Sequence, residues 1–400
     1  MAFIHNNGGN NLDIYFGECI KCRKYNVLMK YLIVGAGLSG AVLAERIASQ
    51  LGASVTVIEK RDHIGGNCYD YVDTETGIRL NKYGPHLFHT NNQVVWDYVN
   101  SFVTWTRWEH KVLASVDGKY VPMPVCGTTI NELCGTRLRD SDEVAGWLRA
   151  NQVVYTTVRN SEEMAKSRIG TVLYEKLVKE YTFKQWGRLP AELDKSVLER
   201  IPVRPNFDVR YFGDKYQGLP EGGYTHFFEK LLSHPNIEVL LNTDYFEFSK
   251  GRVFDAVIFT GPIDAYFHAT GLEKLEYRSM SFSMEVIKNM KQYQPNSVVN
   301  YPNINVPYTR IVEYKHFLNQ QSDHTIIVKE TPTDVGEPYY PVPSQKNLDL
   351  YEKYRLLASG EEMKNVYFVG RLANYKYFNM DEAVWNSLQF FESLPRARLA

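Results

Sequence analysis

The chain has 400 residues, 44% of them hydrophobic and 23% charged, with a formal net charge of −1 at pH 7. That length can bury a large core and divide into two or three domains. The near-zero charge gives no general pull towards nucleic acid or acidic membranes, so any anion site must be a local cluster. The five cysteines (Cys19, Cys22, Cys68, Cys126, Cys134) are not patterned as a disulfide framework, and no apolar run reaches the ~18 residues that span a bilayer. A reducing cytoplasm is expected.

Residues 1–28 read as a disordered N-terminal extension, polar and glycine-rich at Asn6–Asn11 and without the apolar core of a secretory signal. Cys19 and Cys22 form a single CxxC with no second pair, so no metal site is expected. The most informative stretch follows, from Tyr31 to Asn67. A short apolar run (Leu32, Ile33, Val34) leads into Gly35-Ala-Gly37-Leu38-Ser39-Gly40, then an Ala/Leu/Ile-rich helix pattern, then Val55–Ile58 ending in Glu59. Strand, glycine turn, helix, strand and acid in that order form the βαβ unit that holds an ADP moiety. Gly35 permits the tight turn, Gly37 the approach of the pyrophosphate and Gly40 close helix–strand packing, and the helix N-terminus faces the phosphates. Glu59, about 20 residues on, is placed for the ribose hydroxyls. A second glycine pair, Gly65-Gly66, followed by Asn67, resembles the extended fingerprint of FAD proteins, so FAD is favoured over NAD.

Gly77 to Thr90, with Pro85, His86 and His89, reads as a fixed loop that could lie against a flavin. Helical spacing dominates from Asn92, interrupted by a hairpin whose strands, Lys111–Val116 and Lys119–Pro122, flank Asp117-Gly118. Further helices are expected at Thr129–Cys134 and Ser161–Tyr181. Aromatics and arginines then interleave with loop-forming Gly and Pro through Tyr181-Thr182, Trp186, Arg200-Ile-Pro-Val-Arg204 and Tyr211, a composition suited to a nucleotide, with rings for the base and guanidinium forks for phosphates. Strands are expected at 237–242 and 254–260, an antiparallel sheet across 277–328 that includes Arg310, a proline-fixed loop at 337–343, a strand into Gly370-Arg371, and a final amphipathic helix. No paired carboxylates, Ser/His/Asp triad or metal cluster is visible.

From Met29 onwards the chain resembles the bacterial-type UDP-galactopyranose mutases. The matching stretches are VGAGLSG (34–40), EKRDHIGGN (59–67), KYGPHLFHT (82–90), EYTFKQWG (180–187), RIPVR (200–204), YQGLPEGGY (216–224), TGPID (260–264), PYTRIVEYKHF (307–317), EPYYPVP (337–343) and VGRLANYKYFNMD (369–381). The resemblance implies an α/β fold with a discontinuous Rossmann-like FAD-binding domain (29–90, 218–265, 344–400). It adds a mainly helical domain with a mobile loop (91–185) and an antiparallel β-sheet domain (186–217, 266–343). The implied reaction is a non-redox isomerisation of UDP-galactopyranose and UDP-galactofuranose through a covalent adduct at N5 of reduced FAD. An external reductant, a homodimer and galactofuranose-containing glycans downstream are implied with it.

By the same resemblance Arg200 and Arg310 bind the diphosphate and His86 lies near the flavin. Tyr181 and Trp186 receive the uridine, Thr182 binds substrate beside them, and Tyr211, Tyr340 and Tyr377 surround the diphosphate. Leu38, Ser39, Lys60, Asn67, Gly370, Arg371 and Met380 join the glycines and Glu59 around FAD. Three positions depart from the family pattern: Asn379 stands for Asp, Cys126 for Asn near the substrate, and Asn81 for His. Asn81 and Cys126 leave open a 2-acetamido sugar, with UDP-N-acetylgalactosamine as the substrate. An amine-oxidase-like flavoenzyme or a GDP-dissociation-inhibitor-type binding protein would share the glycine fingerprint or the fold, but neither accounts for both the fingerprint and the arginine-aromatic stretch.

Overall fold

The computed structural model describes residues 28–394; the N-terminal extension and its CxxC pair lie outside them, apart from Leu28. The five short apolar runs of the expected dinucleotide unit form one parallel sheet, in the order Ile237–Leu240, Ser54–Ile58, Lys30–Val34, Ala256–Phe259, Val366–Phe368. Its central strand is buried on both faces, with Leu32 and Ile33 fully excluded from solvent, as a parallel sheet covered by helices requires. Helix Leu38–Leu51 follows the first strand and packs against the terminal helix Met380–Ser393. Helix Gly223–Leu231, expected from the Gly222-Gly223 turn, is anchored from a distance: Asp70 accepts from the backbone N–H of Tyr224 at 2.7 Å and of Thr225 at 2.8 Å. The α/β class with a Rossmann-like core is thus the observed one.

A second sheet has seven strands, in the order Tyr340–Pro341, Tyr277–Ile287, Thr325–Thr333, Arg310–Glu313, Val298–Asn300, Val112–Val116, Lys119–Met123. The last two are the Asp-Gly hairpin, whose Asp117 and Gly118 both take positive φ (51° and 75°), the mirror-image turn that matches strand twist. This hairpin lies within the span expected to be mainly helical, yet it extends the antiparallel sheet through a parallel pairing of Val299 with Leu113. Residues 186–217, expected with that sheet, form short helical turns at Pro190–Glu192 and Ser196–Glu199, touch Lys111 beside the sheet through a single bridge at Arg210, and enter a strand only at Tyr216.

The single helix expected over 161–181 is divided. Helix Ser161–Leu173 bends at Gly170 (φ +76°), where a Cβ would meet the carbonyl oxygen of Asn151 at 2.4 Å. A widened π-type turn, Tyr174–Lys179, then leads into helix Glu180–Trp186. Among the described residues no helix is long and apolar enough to cross a membrane, and no group of three or more His, Cys, Asp or Glu could hold a metal ion.

The packing predicts opposite effects for two helical glycines. A Cβ at Gly40 would lie 2.0 Å from the Gly35 carbonyl oxygen, whereas one at Gly360 meets nothing within 4 Å. Gly40→Ala should cost about 2–3 kcal/mol in denaturant unfolding, because rigid backbone must move. Gly360→Ala should stabilise by about 0.5–1 kcal/mol. Equal effects at the two sites would contradict the close approach of helix and turn.

Candidate functional site: a dinucleotide cradle opening into an arginine-lined cleft

The cradle is built by glycines at the C-terminal ends of the parallel strands. Gly35 has φ +108°, and a Cβ there would meet Thr260 Oγ1 at 2.3 Å; a Cβ on Gly66 would meet Gly37 Cα at 2.9 Å. The two glycine segments therefore lie against each other, joined by the Gly65 N–H donating to the Ala36 carbonyl at 2.9 Å. Gly37 leaves the start of helix Leu38–Leu51, including Leu38 and Ser39, without a side-chain cap, so its free N–H groups and positive dipole end face outward. Gly370, at φ +120°, brings the last turn against Ser39. Buried Glu59 closes the second strand, its carboxylate accepting from the Ala36 N–H at 2.9 Å and the Arg61 N–H at 3.0 Å. A groove without side chains, an uncapped helix start and a carboxylate at the strand end fit the ADP half of a dinucleotide. Lys60 is turned aside: its ammonium pairs with Glu337 at 2.8 Å on the surface.

Beside the cradle opens a cleft of about 540 Å³. It collects residues from all parts of the chain: Asn67, His86, Tyr181, Thr182, Trp186, Arg200, Tyr211, Arg310, Tyr340, Arg371, Tyr377, Asn379 and Met380 all line it. Four arginines line it, Arg168, Arg200, Arg310 and Arg371, and the last three gather around one pair of tyrosines. The Arg200 guanidinium lies over the Tyr377 ring, 3.8 Å from the centroid, and Arg371 approaches the same ring at 4.9 Å. Tyr377 stacks on Tyr340 with centroids 5.3 Å apart and planes inclined by 10°. Arg310 donates through Nε to Glu330 at 2.5 Å, and Arg371 donates through Nε to the Phe378 carbonyl at 3.0 Å. Among the described residues, no carboxylate pairs with Arg200 or Arg371.

These charges reshape the neighbouring acids and bases. Burial raises Tyr340 to about 12, with Tyr377 adding to the rise. Burial pushes Tyr377 up as well, but Arg200, Arg371 and Arg310 together hold its hydroxyl below the ordinary value. Burial, with Arg371 and Arg310 adding to it against the Gly84 carbonyl, lowers His86 to about 4. His86 is therefore a neutral imidazole at pH 7. Its Nδ1 sits 2.9 Å from the Gly84 carbonyl and carries the proton, which leaves Nε2 as an acceptor. Glu330 is fully buried and raised by that burial against the pull of Arg310; one of its oxygens has no hydrogen-bond partner among the described residues.

Cys126, expected near a substrate, does not line the cleft. It is fully buried at the start of helix Gly127–Cys134, its sulfur 3.5 Å from Thr129 Oγ1, while Met123 and Val125 face the opening. Asn81 also lies elsewhere, its amide 3.5 Å from the Cys68 carbonyl. Several lining residues were not anticipated from sequence. His89 donates through Nδ1 to the Asp214 carboxylate at 2.9 Å and stacks on Phe212 with centroids 3.6 Å apart. Buried His110, lowered to about 3 by burial first and Arg310 second, leaves Nδ1 without a partner among the described residues. His89 did stand in a suspicious His-x-x-His loop; His110 and Glu330 carried no local signal.

The family model described as UDP-galactopyranose mutase matches residues 176–377, and one described as an NAD(P)-binding Rossmann-like domain matches 33–102. The chain is 39% identical over 362 residues to a probable UDP-galactopyranose mutase of Klebsiella pneumoniae, covering 90% of this chain and 92% of the relative. It is 36% identical to a dTDP-fucopyranose mutase of Escherichia coli (90% and 97% covered) and 35% identical to the UDP-galactopyranose mutase of Mycoplasma genitalium (94% and 96%). A crystal structure of reduced UDP-galactopyranose mutase superposes with a TM-score of 0.73 at 20% identity over 91% of this chain and 95% of that one. With the cradle, the arginine cleft and these matches in one chain, the protein belongs to the UDP-galactopyranose mutase family of isomerases.

Proposed function

We propose that this chain interconverts UDP-galactopyranose and UDP-galactofuranose with FAD held in the glycine cradle and its flavin ring reaching the cleft. The observation that carries the reading is the convergence of Arg200, Arg310 and Arg371 on the stacked Tyr340–Tyr377 pair, in a cleft bordered by Asn67 and Arg371, each next in the chain to a cradle glycine. Reduced FAD, when bound, supplies a nucleophile for the anomeric carbon, so the sugar ring can contract without net oxidation. An external reductant is needed to bring the flavin to that state.

The protein's own work is to hold the diphosphate while its bond to the sugar breaks and re-forms. Arg200 and Arg310 can each present a planar fork of donors to phosphate oxygens, and these charge-assisted contacts strengthen as charge grows on the leaving group. The Tyr377 hydroxyl, acidified by three guanidiniums, is a strong neutral donor to the same oxygens. Tyr181, Thr182 and Trp186, gathered on one short helix of the cleft wall, suit a uracil ring and its ribose. Neutral His86 offers a lone pair to the sugar-flavin end without adding charge. Of the three departures from the family pattern only Asn379 lines the cleft. It keeps the hydrogen-bonding capacity of the usual Asp but removes a negative charge, which supports retained binding at an altered rate. Cys126 and Asn81 do not reach the cleft, so neither favours an acetamido sugar, and galactose is the proposed one.

Protein with its flavin reduced by dithionite should convert UDP-galactofuranose to UDP-galactopyranose by chromatographic assay and lose that activity when the flavin is oxidised. Faster turnover of UDP-N-acetylgalactosamine or of a dTDP-6-deoxy sugar in the same assay would replace galactose as the substrate. Arg310→Ala and Arg200→Ala should each lower kcat/KM at least 100-fold, on the order of 2.7 kcal/mol of transition-state stabilisation. Retention of more than a tenth of the activity in either variant would remove that arginine from the site.

The His86 value fixes the sign of an acid effect. Its ordinary value near ~6.5 falls to about 4 in the folded protein, so between these the unfolded chain binds more protons. Stability should therefore drop as pH falls from about 6.5 to 4. Denaturant titrations across that window should show a shallower drop in His86→Gln, and an unchanged slope would place the acid sensitivity elsewhere.

A further inference from the structure

Two more cations stand beside the cleft arginines, Arg168 on the cleft wall itself and Lys184 outside it, and among the described residues neither forms an ion pair. Lys184 lies on helix Glu180–Trp186, beside Tyr181 and Trp186. Its ammonium is shared among four backbone carbonyls of the loop that leads into Arg310: Tyr301 at 2.5 Å, Tyr308 at 2.9 Å, and Asn303 and Val306 at 3.0 Å. The same helix is fastened a second time, since Glu180 accepts from the Ile304 N–H of that loop at 2.8 Å. Arg168, on helix Ser161–Leu173, makes the equivalent contact around Arg200. One of its terminal nitrogens engages the carbonyls of Ile201 at 2.6 Å, Glu199 at 3.0 Å and Leu198 at 3.1 Å, on both sides of Arg200 in the chain.

An ordinary staple between a helix and a loop uses one or two such bonds. Here Arg168 engages carbonyls on both sides of Arg200, and Lys184 engages four carbonyls that precede Arg310. Burial outweighs the more distant carboxylates Glu199 and Glu180, which partly offset it. The cost is visible at Lys184, which burial pulls down to about 8. The neutral peptide dipoles hold the cations without adding formal negative charge near the cleft.

We infer that Arg168 and Lys184 are positioning residues, Arg168 fixing the segment that presents Arg200, and Lys184 fixing the segment that presents Arg310 against the helix that carries Tyr181 and Trp186. The inference rests on the proposed reading of the cleft as a diphosphate site, and it specifies a pairing: each cation acts through one arginine and not the other.

Double-mutant cycles on the FAD-loaded protein test that pairing. UDP affinity is measured by calorimetric titration, and kcat and KM by the reduced-flavin assay. Arg168→Gln and Lys184→Gln should each weaken UDP binding about tenfold while flavin content and melting temperature stay near those of the parent. Lys184→Gln should have no further effect in the Arg310→Ala background and its full effect in Arg200→Ala, with Arg168→Gln giving the mirror pattern. Arg168→Lys and Lys184→Arg, which keep the charge and the donors, should restore most of the affinity. Should a glutamine variant shed its flavin, these charge-keeping exchanges enter the same cycles and should show the same pairing with a smaller amplitude. A general packing role would give equal losses in all backgrounds, and that result overturns the inference. If the unsubstituted protein binds UDP and the four combinations are additive, the positioning inference alone fails; if it binds no UDP, the diphosphate reading is what fails.

Discussion

Concentrating three guanidinium groups around one pair of stacked tyrosines is the constraint on which the remaining structure depends. Like charges brought into a shared, partly dry cleft repel one another, and each loses hydration that must be replaced. The fold replaces it sparingly. Arg310 receives a buried carboxylate, Glu330; Arg371 receives a backbone carbonyl; Arg200 receives the face of Tyr377. With a carboxylate on one of these three guanidiniums and, among the described residues, none on the other two, the potential beside the tyrosines favours an anion with several oxygens, and a diphosphate is a ligand of that description. The tyrosines are part of the same balance, because their faces attract guanidiniums while their hydroxyls remain available as donors.

The three arginines come from three structurally independent parts of the chain. Arg371 is carried by the glycine turn after the last parallel strand, Arg310 opens a strand of the antiparallel sheet, and Arg200 ends a single helical turn in an otherwise irregular segment. Only the first belongs to the dinucleotide-binding core. The site exists because the C-terminal edge of the parallel sheet, where open α/β sheets place their ligands, is roofed by elements that fold on their own hydrophobic clusters. Register then decides the electrostatics: Arg310 pairs directly with Glu330 across two antiparallel strands, and a slip of one residue would turn one of the pair to the opposite face.

What the sequence made legible followed from how local each signal is. The Tyr31–Asn67 fingerprint is a run in which spacing alone determines the turn, the uncapped helix and the closing acid, and the structure has each of them. The Asp117-Gly118 turn is equally local and was readable as a hairpin. Its membership of the seven-stranded sheet was not, because the parallel pairing of Leu113 with Val299 spans far more chain than any pattern window. Glu330 sits in an apolar strand where nothing nearby in sequence marks it, and only the pairing with Arg310 gives it meaning. Cys126 shows the converse error: a position expected to touch substrate lies one layer behind the wall, since Met123 and Val125 occupy the surface it would have needed. Gly170 could be read as tolerable in a helix, yet the close approach of Asn151 makes it a hinge in the backbone path.

The use of carbonyls rather than carboxylates behind two of the arginines follows from the same electrostatic constraint. A carboxylate beside Arg200 would steady it, but it would also cancel the field that draws the ligand and would compete for the guanidinium in the empty cleft. Carbonyl oxygens gripped by Arg168 steady the backbone instead, leaving the Arg200 side chain without a formal counter-charge. Arg310 tolerates Glu330 because a guanidinium has donors on more than one edge: Nε is spent on the carboxylate, while its terminal nitrogens can serve the cleft. A lysine in that place could not divide its charge by geometry in this way. Rigidity is thus obtained from the main chain and charge is reserved for the ligand, an arrangement that suits the proposed diphosphate site, where the anion is held both while it is bonded to the sugar and while it is not.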